Sequence, residues 1–573
     1  MAWSDNSCWN AASSLVYDVD GVLAHSGGHS VKVSLRSGLF QLVQPVTLPP
    51  DWRFTLGVWV RAAAPMMIKI SLRQAGAPYA DYGSRLVRAT DQWTYVSVDA
   101  FSHGLSEPDA RQALFIVGSA TPGTVWLDDA VMTGARSNLG LPTAAVPRQY
   151  FGTHVLHNDN LADAFEDSNA GSMRVWDSER SQWHAVQRKR PVAGKSSKYE
   201  WGSLDQRVKA ADSAKADVLM VLGGYAPAWA SLDEDAQDDE PASRCYRCDE
   251  HPRRMSEWQG WVKDIATRYS GKSMKYWEVW NEPYFNANHD WCPSRDGCAS
   301  GLGSGYRGSP EQLLQLQNEA ARVLKSVNPD AKVVSAGISY QHRDYLDYFL
   351  KLGGARSADV IGYHLYLEGG YPEMMMSHVL GIRALMRDHG ASDKPLWSTE
   401  TGIGQIDVGI DPACRAAQAA GLPQPRISEL NAAYLARFMV VGWASGLGRV
   451  YQYAWDDQHG WPSSPTRIRP GTNLSVAVNA SGKAFYQVSA WMTGRRMSDL
   501  DRVSDGGVWK AAMTDSAGGV SYIAWHPART RERPAQMTVP AGVSKRCDLT
   551  GQCTAIKPGD SVSVDFSPIF LTN

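Results

Sequence analysis

The chain has 573 residues, more than one hydrophobic core usually supports, so several packed units are expected. Its 57 Lys and Arg against 59 Asp and Glu include no long basic run, which argues against nucleic acid or an anionic membrane as partner. No apolar stretch approaches the roughly 18 residues of a membrane-spanning helix.

The 22 Trp and 23 Tyr exceed what a folded core needs, and flat aromatic rings suit the C–H faces of sugars as well as core packing. The opening residues MAWSDNSCWN lack the charged start and apolar run of a signal peptide, as expected of a secreted or periplasmic chain read from its mature end. Eight cysteines (8, 245, 248, 292, 298, 414, 547 and 553) include close pairs in turn-rich segments, which favours disulfides and export. A zinc site built from Cys245, Cys248, Cys292 and Cys298 is the alternative, weakened by the five residues between the second pair.

Residues 1–135 read as short strands without a helical period: 31–35, 54–62, 67–74, 93–101, 113–120 and 124–132. That is the pattern of a β-sandwich. Gly27-Gly28-His29-Ser30 and Trp126-Leu127-Asp128-Asp129 give it a resemblance to the jelly-roll carbohydrate-binding modules of polysaccharide-degrading enzymes. The resemblance implies sugar binding, while a sandwich that only buttresses its neighbour fits equally well. It also implies a possible structural calcium near Asp18, Asp20 and Asp129.

From 148 to about 500, strands alternate with amphipathic helices. Eight strand candidates occur: 150–157, 172–178, 217–225, 275–283, 332–339, 359–367, 394–402 and 448–456. Between them Trp258, Trp261, Val262, Ile265, Ala266 and Tyr269 mark one helical stripe. Ser309-Pro310-Glu311-Gln312 opens a second helix with an N-cap, a proline at the first position and a capping-box partner. A third runs from about Ser428 to Ala444, and a last from Gly482 to Thr493. Eight such units predict an α/β fold, a (β/α)8 TIM barrel, although an open doubly wound sheet uses the same alphabet. Short β segments at 508–514, 520–526 and 562–567 predict a small C-terminal β-domain over 501–573.

In such a barrel the chemistry sits where the strands end. The fourth strand ends in Trp280-Asn281-Glu282-Pro283 and the seventh in Ser398-Thr399-Glu400-Thr401. Two carboxylates flanking one bond are what glycoside hydrolysis requires, one protonated to assist departure and one ionised to attack.

Asn-Glu-Pro on strand four with a second Glu on strand seven resembles the clan A glycoside hydrolases. WEVWNEP together with Ile361-Gly362-Tyr363-His364-Leu365-Tyr366 is most similar to family 39, over residues 148–500. The resemblance implies a retaining hydrolase with Glu282 as acid/base, Glu400 as nucleophile and Asn281 bonding the sugar 2-hydroxyl. His364 and Tyr366, two apart on one strand, share a face, and would orient the carboxylates. Arg174 resembles the clan's strand-two arginine that supports the nucleophile, with a surface ion pair as the alternative. His154 and His157, ending strand one, are candidates for sugar hydroxyls or for structural hydrogen bonds. Trp455 after strand eight and Trp229 after strand three are offered as stacking platforms or as core.

The loops 231–254 and 284–308 depart from the family pattern and lie on the catalytic face, so they bear on substrate choice. The acidic run Asp233 to Glu240 reads as a solvated loop. The chemistry needs no cofactor, and the expected partner is a polysaccharide such as a bacterial exopolysaccharide or hemicellulose. An exo-acting β-xylosidase, an α-L-arabinofuranosidase and a uronate-specific enzyme of the same clan are the alternatives. From another class, a non-catalytic polysaccharide-binding protein is the rival, and it has no need of the glutamate pair.

Overall fold

The computed structural model describes residues 3–573 apart from 159–160, 162–164, 166–167, 179, 193–197, 233–247, 284–305, 307, 340–341, 367–369, 403–426, 457–464, 469–474, 503–506 and 528–533. Most of both expected loops, the acidic run, and Cys245, Cys292, Cys298 and Cys414 therefore lie outside the described residues.

The N-terminal part is two antiparallel sheets of five strands each. Every second residue of Trp52–Ala62 points inward, so Phe54, Leu56, Val58, Val60 and Ala62 are buried against Ile68, Ile70 and Leu72 of the other sheet. Three long strands and the two-residue Ser4–Asp5, beyond the expected six, complete it. Ser14–Asp20 stands at a sheet edge with no residue fully buried, and Val16 blurs the alternation of Leu15, Tyr17 and Val19. Phe40–Thr47 is interrupted by Gln41, Gln44 and Pro45, and Asp81–Ala89 is covered on both sides, Gly83 packing on Asp99 and Ala100 of the other sheet and Ser84 facing the barrel. The three aspartates offered for calcium spend oxygens on protein donors. Asp18 accepts from the Val19 amide, Asp20 from the Val22 and Leu23 amides and the Trp126 indole, and Asp129 from Ser26 Oγ while it pairs with His25.

The barrel strands are β1 (Phe151–His154), β2 (Ser172–Val175), β3 (Asp217–Val221), β4 (Met274–Glu278), β5 (Lys332–Val334 and Ile338–Ser339), β6 (Ile361–Tyr366), β7 (Leu396–Gly402) and β8 (Leu447–Gln452), all parallel. β5 closes the ring by working in two halves. Lys332–Val334 pairs with β4, whereas Ile338–Ser339 pairs with β6. Helices Gly202–Ser213, Met255–Tyr269, Pro310–Val327, Arg343–Lys351, Met375–Asp388, Ile427–Ala444 and Ala480–Met492 follow β2 through β8 in turn. The Ser309 capping box is formed as its sequence predicts. β4 stops at Glu278, earlier than the sequence reading, so Asn281 and Glu282 stand on the turn beyond the strand.

Three strands of the C-terminal domain are legible in sequence; of the others, Arg496–Asp501 and Cys553–Ala555 are largely exposed, while Ala535–Thr538, Lys545–Cys547 and the buried Ile569–Thr572 have only three or four residues, too few to show a period. A six-stranded antiparallel sheet from Arg496 to Thr572 holds them, with a separate two-stranded sheet. A disulfide joins Cys547 to Cys553. Cys248 is also disulfide-bonded, which removes it from the zinc alternative, and Cys8 is free and exposed. No helix among the described residues is long and apolar enough to cross a membrane.

The three parts meet at Glu373, on a short turn after β6. Its carboxylate takes two hydrogen bonds from Arg437 of the helix after β7, at 2.8 and 2.6 Å, and one from the Trp525 indole of the C-terminal domain at 2.7 Å. Gly104 of the sandwich lies so close that a Cβ there would stand 1.9 Å from the Glu373 carbonyl oxygen. Arg85 adds ion pairs to Asp347 and Asp388 across the same sandwich–barrel seam.

Candidate active site

The ends of β2, β4, β6 and β7 converge on Arg174. Its Nε donates to Glu278 Oε2 at 2.6 Å, Nη1 to Glu400 Oε2 at 2.9 Å and Nη2 to the Asn281 side-chain oxygen at 2.6 Å. Arg174 is fully buried, so the surface-pair alternative fails; a guanidinium out of water needs this complete set of acceptors. Thr399 donates to the other Glu278 oxygen at 2.8 Å.

Glu400 receives a second hydrogen bond on Oε1 from the Tyr366 hydroxyl. His364 Nδ1 lies 2.9 Å from Glu282 Oε1 and 3.8 Å from Glu400 Oε2. Its Nε2 is 3.5 Å from Arg174 Nη2. A guanidinium only donates, so Nε2 accepts and the ring proton resides on Nδ1, aimed at Glu282. A carboxylate oxygen of Glu282, one of Glu400 and a His364 nitrogen all lie within 4.8 Å of one another. These three are also the one group among the described residues with the spacing of metal ligands. The guanidinium beside them is already a resident cation and would repel a second one.

Backbone geometry aims Glu282. Trp280 and Glu282 adopt left-handed conformations, φ 75° and 40°, which for such residues persist only when the surroundings hold them. The Glu282 amide donates to the Gly337 carbonyl at 2.9 Å, and the Trp280 ring is buried with an edge on Tyr306. Gly337 sits in the break of β5 for a steric reason. A Cβ there would meet His364 Nε2 at 2.2 Å and Glu278 Oε1 at 2.7 Å.

Burial sets the charges. It pushes Glu400 above the ordinary carboxylate range, helped by the negative charge of Glu282 and opposed by Arg174 and the Tyr366 hydrogen bond. It lowers His364 to about 4, leaving a neutral imidazole at neutral pH. The Tyr366 phenol is driven well upward by burial and by Glu400, so it stays a donor. Glu282 has 22% of its side chain exposed against 10% for Glu400, leaving it the more open of the two.

The remaining candidates divide. His154 is buried beside Arg174 in the β1–β2 register, its Nε2 3.3 Å from the Thr399 carbonyl and its Nδ1 without a hydrogen-bond partner. Burial, then the Arg174 charge, holds it well below the ordinary imidazole value. His157 is taken up by Asp456, which accepts its backbone amide at 3.0 Å and faces its Nδ1 at 3.3 Å. Trp229 is 2% exposed, its indole donating to the Gln187 carbonyl and its ring packed on Trp183, so it belongs to the core. Trp455, 1% exposed with an edge on Phe485, is core too.

Three site residues escaped the sequence reading. Glu278 lies inside WEVWNEP, where a charge in an apolar strand was the available signal. Asp177 and Tyr453 follow β2 and β8; the phenol donates to Asp177 Oδ2, while buried Asp177 Oδ1 has no hydrogen-bond partner.

No protein-family model matches the sequence, and a search of curated proteins returns no match. Solved structures match in three dimensions. A family 39 glycoside hydrolase from the gut symbiont Bacteroides cellulosilyticus WH2 superposes with a TM-score of 0.52 at 15% identity, over 88% of this chain and 94% of that one. The chain has the fold of a family 39 glycoside hydrolase. Coverage that wide extends beyond the barrel, so the likeness includes flanking β-structure. A glucosidase from Croceicoccus marinus matches with a TM-score of 0.50 at 15% identity, over 76% of this chain and 98% of that one.

Proposed function

We propose that this protein is a retaining glycoside hydrolase that cleaves β-glycosidic bonds of a polysaccharide by double displacement, with Glu400 as nucleophile and Glu282 as acid/base. The observation that carries the reading is that an oxygen of Glu282 and an oxygen of Glu400 lie within 4.8 Å of each other. Retaining enzymes hold the pair about 5 Å apart, whereas inverting ones leave about 6.5–9.5 Å for a water.

In the first step a Glu400 oxygen attacks the anomeric carbon while the Glu282 proton passes to the departing glycosidic oxygen. A covalent glycosyl ester on Glu400 results. In the second step Glu282 takes a proton from water, the hydroxide adds to the anomeric carbon, and Glu400 leaves as carboxylate. Double displacement needs one proton on the pair at rest, carried by Glu282. Each charge disfavours the other, so protonation of Glu282 removes the repulsion that raises Glu400, and Arg174 and Tyr366 then hold Glu400 ionised. Asn281, anchored by Arg174, faces the sugar 2-hydroxyl, and the unsatisfied His154 Nδ1 and Asp177 Oδ1 are available to further hydroxyls. No step asks for a metal or cofactor.

The test is hydrolysis of aryl β-glycosides, hemicelluloses and bacterial exopolysaccharides by wild type, Glu282→Gln and Glu400→Gln, with product size and anomeric configuration recorded. Retained configuration with loss in both variants supports the reading. Inverted products, or no hydrolysis alongside tight polysaccharide binding, would overturn it in favour of another mechanism or of a binding protein.

A further inference from the structure

A cavity of 280 Å³ opens in the seam between the sandwich and the barrel. The sandwich contributes Lys69, Tyr79 and Asp81, and the barrel contributes Arg343, Asp344 and His378. Tyr366, the residue that bonds Glu400, forms part of the same wall. The volume is near the lower end of the range of ligand sites, about 300 Å³, which admits a small ring rather than a folded chain.

Its chemistry is mixed in a particular way. Two cations, Lys69 and Arg343, alternate with two carboxylates, Asp81 and Asp344, and Lys69 Nζ stands 3.7 Å from Asp81 Oδ2. Arg343 is only 9% exposed; its Nη2 donates to the Gly381 carbonyl, but its Nε has no hydrogen-bond partner. Neighbouring Asp344 has a buried Oδ1 that is likewise without one. A buried donor and a buried acceptor on consecutive residues of the cavity wall are therefore both unsatisfied, an expensive state that a small side-chain turn onto a ligand relieves. A hydroxyl donates and accepts, so a polyol meets both. A uronate carboxylate would satisfy Arg343 and face Asp344 and Asp81 as like charges. Burial lowers His378 to about 4, so at neutral pH it adds a neutral imidazole.

Tyr79 stands at the mouth, 55% exposed, in a left-handed conformation with φ 60°. The Arg73 guanidinium lies 5.5 Å from its ring centroid. Its exposed ring offers a stacking surface for the C–H face of a sugar.

We propose that this seam is a subsite for an uncharged sugar unit of the substrate, built jointly by sandwich and barrel, so that the sandwich helps select what reaches Glu400. The proposal rests on the glycosidase reading for its substrate class. It gives the sandwich a role in specificity distinct from tethering the enzyme to a polymer.

The experiment is calorimetric binding to the full-length Glu400→Gln protein of neutral hexasaccharides (xylohexaose, cellohexaose, mannohexaose) and of oligoglucuronate. Lys69→Met, Tyr79→Ala and Asp344→Asn are each added to that background, with melting temperature as the folding control. Expected is binding of at least one neutral oligosaccharide that each added substitution weakens by about tenfold, the loss of one charged or stacking contact. Unchanged affinity in the three variants, preference for oligoglucuronate, or no neutral ligand in the panel overturns the proposal. Wild-type hydrolysis of the same sugars separates the two readings. If the seam variants bind normally while wild type still hydrolyses, the subsite falls and the glycosidase stands. If wild type binds through the seam but hydrolyses nothing, the reverse holds.

Discussion

Arg174 Nε lies 2.6 Å from Glu278 Oε2, and both side chains are wholly buried. The same guanidinium reaches Glu400 through Nη1. Glu278 thus shares the one cation that stabilises the nucleophile, and its own negative charge works against ionisation of Glu400. Replacing Glu278 with Gln keeps a polar partner for Arg174 and removes that charge. The acid limb of the kcat/KM profile is expected to move to lower pH, with a stability loss of up to about 3 kcal/mol from the broken buried pair. A pH–rate profile with urea unfolding checks both, and an unmoved acid limb would reduce Glu278 to a structural anchor.

Tyr366→Phe has the opposite sign. Loss of the hydrogen bond to Glu400 removes a contribution that favours the carboxylate, so the acid limb moves to higher pH. Because the same bond holds the attacking oxygen, kcat is expected to fall about a hundredfold, the cost of removing one preorganised donor. Steady-state kinetics across pH separate the two effects.

Gly337→Ala tests the steric claim. The new Cβ would overlap His364 Nε2 and Glu278 Oε1, both backed by buried neighbours that cannot retreat. Activity is expected to fall at least about a hundredfold, because small misplacements of reacting groups are costly. Near-wild-type kcat in this variant would show that the site tolerates the shift.

Acid stability follows from the histidines. His184, His342, His364 and His378 are each lowered to about 4, foremost by burial. In the unfolded chain each titrates near 6.5. Between those values the unfolded state binds more protons, so stability rises with pH through the window and is lost as pH falls from about 6.5 towards 4. Each group contributes up to about 1.4 kcal/mol per pH unit there. Melting temperatures at pH 7 and pH 5 measure the drop, and His378→Asn should reduce it.

Glu373→Ala leaves Arg437 buried without its carboxylate and the Trp525 indole without its acceptor. A loss of about 3–5 kcal/mol is expected for a broken buried pair. Since Glu373 links barrel to C-terminal domain, thermal unfolding should also split into separate transitions. A single transition at the wild-type temperature would contradict that link.

By itself the sequence determined the alternation of strand and helix, the capping box at Ser309, and the segments that carry Glu282, Glu400, His364, Tyr366, Asn281 and Arg174. Those signals are local. Apolar periodicity and a polar residue ending an apolar strand can be read from neighbours along the chain. Edge strands such as Ser14–Asp20 were invisible because they bury no side chain completely, and Asp81–Ala89 because it is covered on both sides. Sequence does not separate platform from core at Trp229 and Trp455, since an aromatic residue has the same letter in both places. Only tertiary structure decided that β5 divides to close the ring, that Glu278 and Glu400 share Arg174, that Gly337 clears space for His364, and that the sandwich lines a cavity beside Tyr366. Each depends on groups far apart in sequence meeting in a dry interior. There, distance and desolvation rather than residue type set the energy.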